Sequence, residues 1–153
     1  MAAGHQVVST DLIQRDYGAS GINFLAEIQH RAKHIVKSPP YGRGLGDAFT
    51  RHARELIRAT GGTVAMLLNL ASLCHPNRHG LWVENPPAAI YALDELVCWP
   101  EGDPALASRV TNLHRYCWVV WKPPHTGRPM FRWLTVKDFA VKQSIKTGAL
   151  EVS

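Results

Sequence analysis

Ser108, Arg109, Thr111, Asn112 and Arg115 crowd into the stretch "DPALASRVTNLHRYC", residues 103–117. All five carry side chains that donate hydrogen bonds. Arginine and asparagine match the acceptor pattern of base edges, and serine and threonine suit phosphate oxygens. A second set follows in "WKPPHTGRPMFRW", where Lys122, His125, Arg128 and Arg132 add positive or protonatable groups. The chemistry these types suggest is recognition of a polyanion, with no covalent step.

Other reactive residues form no comparable set. Cys74, His75 and His79 lie in "CHPNRH", His114 and Cys117 in "HRYC", with Cys98 between them. Zinc ligation by a Cys/His set is arithmetically open, but the spacings match no familiar finger. Cys98 and Cys117 fall on apolar helical faces, where a free cysteine usually serves as a small hydrophobe. A Cys74 nucleophile with His75 or His79 would need an orienting third group, and none is visible. The glycines of "GRGLGDAF" have neither a preceding strand nor phosphate-loop spacing. The expectation is a binding protein without enzymatic activity, metal or cofactor.

Charge distribution agrees with the first pair of sets. The chain of 153 residues has a net charge of +5, and residues 104–146 hold eight Lys or Arg against Asp138 alone. Residues 59–103 carry five acids and one base. An uneven basic stretch says more about an anionic partner than the total does. No secretory leader or long apolar run stands out, and three cysteines suit a reducing compartment, so a soluble cytoplasmic protein is expected.

The elements that would hold these residues follow from the periodicity of the chain. Residues 1–20 read as an extended lead-in. "GINFLAEIQHRAKHIVK" has Ile22, Leu25, Ile28, Ala32 and Ile35 at helical spacing, which predicts an amphipathic helix ended by "SPPYGRGLG". A second helix starts near Asp47, with Phe49, Ala53, Leu56 and Ile57 inward. "TVAMLLNLASLC" has the apolar density of a strand, but Ala, Met and Leu outnumber its β-branched residues, which favours a central buried helix over 62–74. "LWVE" reads as extended, and Asn85 with Pro86 predicts a helix over 86–98. Asp103 and Pro104 open a third over 104–116, with Leu106, Val110, Leu113 and Cys117 on its inner face. "CWVVWK" and "MFRWLTV" predict two strands joined by a projecting loop, and residues 136–145 a closing helix.

This order, with the turn "WPEG" before Asp103 and the ending "WVVWKPPHTGRPMFRWLT", resembles the winged helix-turn-helix superfamily over about residues 62–136. The resemblance implies a mainly α protein with a small β-hairpin wing, flanked by amphipathic helices. It implies that helix 104–116 enters the major groove of double-stranded DNA, with Ser108, Arg109, Thr111, Asn112 and Arg115 exposed. The wing residues Lys122, His125, Arg128 and Arg132 would touch backbone or the minor groove.

The expected organisation is then a lead-in over 1–20, a helical segment over 21–60 that could dimerise, a winged-helix domain over 61–136 and a C-terminal helix and tail over 137–153. The expected function is DNA binding as a small transcriptional regulator or repressor, or as a plasmid- or phage-type replication or maintenance factor, acting as a homodimer. Asp94, Glu95, Glu101 and Asp103 lie close to where phosphates would pass. They keep open a winged-helix module that binds or inhibits a partner protein.

Overall fold

The structure is a computed structural model and describes residues 5–15, 17–29, 32–42, 44–94, 96 and 114–135. It contains strand β1 (His34–Lys37), helix α1 (Leu45–Ile57), strand β2 (Thr63–Asn69), a short helix α2 (His79–Glu84), and strands β3 (Ala89–Leu93), β4 (Tyr116–Trp121) and β5 (Met130–Leu134). The five strands form one sheet in the order β1-β2-β4-β3-β5. The fold is therefore α/β, and the expectation of a mainly α winged helix is corrected.

Strand directions define the sheet. β1 is parallel to β2, β4 is antiparallel to both β2 and β3, and β5 is parallel to β3. Four strands thus run one way, and β4 alone is reversed between β2 and β3. The carboxyl ends of β1, β2, β3 and β5 collect on one edge of the sheet, beside the amino end of β4.

Two of the three helices that the winged-helix resemblance needs are strands. In β2 the apolar run fills a central position, paired on both sides and buried at Val64, Met66, Leu67 and Leu68. A central strand that is apolar on both faces shows little alternation in its sequence, which then looks like a buried helix. In β3, Ala89 and Ala92 are buried and pair with β4, although Asn85-Pro86 resembles a helix start. The projected hairpin is also corrected: β4 and β5 are both strands, but β3 lies between them. Helix 104–116 and the closing helix lie outside the described residues, apart from the start of β4.

The first predicted helix is replaced by a single 3-10 turn at Phe24–Ala26 and by β1, whose Ile35 and Val36 are β-branched and suit a strand. "LWVE" is helical within α2. The helix from Asp47 is present as α1. Its Ala53 and Ile57 are fully buried against Val64, Met66 and Leu68 of β2 and Cys117, Val119 and Trp121 of β4. Trp82 of α2 stacks on Trp121 at 5.9 Å, and Trp121 Nε1 donates to the Asn85 carbonyl at 2.9 Å. One face of the sheet is thereby covered by α1 and α2. No described helix is long and apolar enough to cross a membrane.

Candidate functional site at the carboxyl edge of the sheet

Parallel strands release their chain at one edge, and ligands of α/β sheets sit outside those carboxyl ends. Here the segment leaving β1 is Ser38-Pro39-Pro40-Tyr41. Each proline fixes φ near −65° and contributes a carbonyl without an N–H, so the turn is stiff and rich in acceptors. Pro39 is fully buried and anchors it.

Tyr41 folds back towards the sheet. Lys37 pairs with Met66 as the last register position of β1. One residue further along β2, the Leu67 carbonyl receives the Tyr41 hydroxyl at 3.1 Å. That hydroxyl also lies 3.4 Å from Ser38 Oγ. The Tyr41 ring stands 5.8 Å from Tyr116 at the start of β4, tilted by 43°. Two aromatic rings therefore flank the same edge.

Asn69, the last residue of β2, organises the next wall. Its Oδ1 accepts from Ala71 N–H at 2.9 Å and caps the 3-10 turn Leu70–Cys74. With Oδ1 so committed, its Nδ2 is the donor to His114 Nδ1 at 3.1 Å. His114 Nδ1 must then be the accepting nitrogen, which leaves the proton of a neutral ring on Nε2. The Arg115 carbonyl accepts from Leu70 N–H at 2.7 Å, which ties the entry to β4 to the exit from β2.

These elements enclose a cleft of about 300 Å³ lined by Tyr41, Gly46, Leu68, Asn69, Ser72, Arg78, His114 and Tyr116. Arg78 Nε is ion-paired with Asp47 Oδ1 at 2.6 Å, both side chains being mostly covered. The pair fixes the first turn of α1 against the wall, with other guanidinium N–H groups in reserve. Ser72 is only 8% exposed, and its Oγ has no hydrogen-bond partner among the described residues. A buried hydroxyl without a partner costs about 1–3 kcal/mol, so this one is suited to a polar ligand group or a water.

The residues singled out by sequence are not gathered here. Ser108, Arg109, Thr111 and Asn112 lie outside the described residues. Arg115 is exposed at the edge that carries the cleft. Lys122, His125 and Arg128 follow β4, whose Trp121 end aligns with Val64 at the start of β2, and so sit at the opposite end of the sheet. Arg132 lies mid-strand in β5, beside Tyr91. The basic loop and the cleft are thus separated by the length of β4.

The sulfur and imidazole groups have ordinary uses. His75 Nδ1 caps Asn77 N–H at 3.3 Å, Cys74 is exposed, and Cys117 is buried with its thiol 3.7 Å from the Leu68 carbonyl. Among the described residues no three His, Cys, Asp or Glu side chains are placed to hold a metal. Ser-Pro-Pro-Tyr was legible only as a helix stop. Its signal was the Ile-Val pair just before it, which makes it a turn at a strand's carboxyl end. β1 also supplies the strand that seemed missing before "GRGLGDAF".

No known protein family, curated protein or solved structure matches the chain.

Proposed function

We propose that the chain binds DNA and holds one base, turned out of the duplex, in the cleft at the carboxyl edge of the sheet. The observation that carries this reading is the cleft itself. Tyr41 offers a half-exposed aromatic ring backed by the buried Tyr116, and Ser72 offers a buried hydroxyl with no partner among the described residues. Bases taken out of a stack are held between aromatic or apolar side chains and read by hydrogen bonds along their edges. The Pro-Pro turn holds Tyr41 at the cleft, and the Ser72 hydroxyl can donate to or accept from a base edge.

Extrusion of a base serves chemistry on that base. The chain would then be the base-handling part of a base-modifying enzyme, in preference to a regulator acting by occupancy alone. Arg115 and the positive charge of residues 104–146 would supply salt-dependent attraction for phosphates.

A second reading, a module that docks on a protein, is favoured by β5. Phe131 and Trp133 pack edge to face at 5.2 Å, and Trp133 is 77% exposed. Exposed aromatic pairs of this kind are common interface anchors.

The readings separate by affinity for two duplexes of the same random sequence, one fully paired and one with a single mismatched adenine. Extrusion costs a few kcal/mol and least from a mismatch, and a saving of about 1.4 kcal/mol would make binding to the mismatched duplex about tenfold tighter. Tyr41→Ala should erase the preference. Equal affinity for the two would remove the base cleft, and no binding at low salt would leave the protein module.

A further inference from the structure

Helix α1 begins at the cleft. Its N-cap, Gly44, has φ +73°, a left-handed conformation that glycine takes without strain, and it brings no capping side chain. In the first turn Leu45 N–H donates to the Gly42 carbonyl, and the N–H groups of Asp47 and Ala48 donate to the Gly44 carbonyl. Gly46 N–H has no such acceptor among the described residues. Unsatisfied N–H groups give a helix start partial positive charge, and anions bind there when a glycine-rich turn leads from a strand into the helix. β1, the glycine-containing turn and α1 follow in that order.

Two further features point to a ligand at this helix end. Gly46 and Arg78 both line the cleft, and a Cβ on Gly46 would lie 3.8 Å from Arg78 Nη2 and 3.9 Å from the Pro40 carbonyl oxygen. Asp47 takes the Nε side of this guanidinium at 2.6 Å. The carboxylate is thereby offset, and Nη2 stands beside Gly46. The second feature is Ser72, which lines the same cleft, is 8% exposed and has no partner for its Oγ among the described residues. A hydroxyl has one hydrogen to donate and two lone pairs, so it can donate to one part of a ligand and accept from another. Thr50 Oγ1, fully buried, donates to the Gly46 carbonyl at 2.8 Å and holds the turn in place.

We infer that the first turn of α1, Arg78 and Ser72 form a phosphate seat, so that the cleft takes a whole nucleotide, its base against Tyr41 and its phosphate between Gly46 N–H and the Arg78 guanidinium. This rests on the base-holding reading of the cleft and names its substrate class, a nucleoside monophosphate unit, either free or within a DNA strand. Phosphate suits the seat because its several acceptor oxygens can meet donors from three segments at once. A cleft of about 300 Å³ is at the small end of ligand pockets, which fits a single nucleotide.

Calorimetric titration of the full chain with adenosine and with adenosine monophosphate, beside the paired and mismatched duplexes, tests this. The monophosphate should bind at least about tenfold more tightly than the nucleoside. Gly46→Ala should remove most of that difference. Its methyl meets only ordinary contacts, favours the helix and leaves the net charge as it was, but stands where the phosphate would approach. Equal affinity for the two ligands would overturn the seat. So would an advantage that Gly46→Ala leaves whole, since that is general attraction to a basic protein. A mismatch preference with equal affinities would sink the seat alone and keep the base cleft. An advantage lost in Gly46→Ala without any mismatch preference would keep the seat and assign it to a free nucleotide.

Discussion

Gly61 and Gly62 join α1 to β2, and the structure predicts very different costs for giving each a methyl group. Gly62 precedes Thr63, whose register partner is His34, so it lies beside Lys33 at the mouth of the β1–β2 ladder. A Cβ there would run into the Lys33 carbonyl, with its carbon at 2.9 Å, and would also meet Thr60 Oγ1 at 3.3 Å. The obstacle is backbone, so relief requires β1 to move away from β2. Among the described residues β1 is held by four register pairs, all with β2. Loss of most of its hydrogen bonds, at a net of about 1 kcal/mol each, puts Gly62→Ala at roughly 3 kcal/mol. Gly61 has φ +60° and nothing within 4 Å of an added Cβ. Its cost is only the left-handed backbone, about 1 kcal/mol. Urea unfolding of the two variants measures the difference as a shift in midpoint at constant slope. Gly62→Ala should also weaken the Tyr41 cleft, since β1 sets where Ser38–Tyr41 begins. Equal, small losses for the two variants would refute the account of the β1–β2 contact.

Three further outcomes follow from the core and the cleft wall. Burial pushes the Cys117 thiol up from 9.0 to about 11. Between these values the unfolded chain ionises the thiol and binds fewer protons than the folded one. Stability from this group is therefore whole below pH 9 and declines by roughly 2–3 kcal/mol as pH rises to 11; Cys117→Ala should flatten that part of a stability-pH curve. Trp121→Phe removes the Nε1 bond to Asn85 and part of the Trp82 stack. A loss of about 2–3 kcal/mol is expected by thermal unfolding, together with a reduced near-ultraviolet dichroism signal. Arg78→Ala breaks the partly covered pair with Asp47. Its cost should be about 1–2 kcal/mol, and added salt should shrink the difference from the parent protein.

What the sequence revealed depended on how each segment is buried. α1 was readable because only one face of it is covered, so Ala53 and Ile57 recur at helical spacing among Arg51, Arg54, Glu55 and Arg58. β4 and β5 were readable as strands from their aromatic and β-branched residues. Their partners were not, because nothing local in "WVVW" says that residues 89–93 will come between them. β2 was misjudged for the opposite reason, being apolar on both faces. The cleft was largely hidden, since Tyr41, Ser72, Arg78 and Tyr116 come from four separate segments joined only by the sheet order. Of the described residues chosen for DNA contact, Arg115 alone falls at the edge where the cleft opens.

The reversed strand also sets a schedule for synthesis. β4 must enter between β2 and β3, both of which leave the ribosome before it does. The sheet cannot close until residue 121 has emerged, and at about 5–20 residues per second the intervening stretch after Leu93 delays that event by seconds. During the interval Val64, Met66 and Leu68 lack their β4 neighbours. A nascent chain of this order therefore leaves apolar strand surface uncovered until β4 arrives, and a premature stop just before Tyr116 would leave β2 and β3 without the strand that joins them.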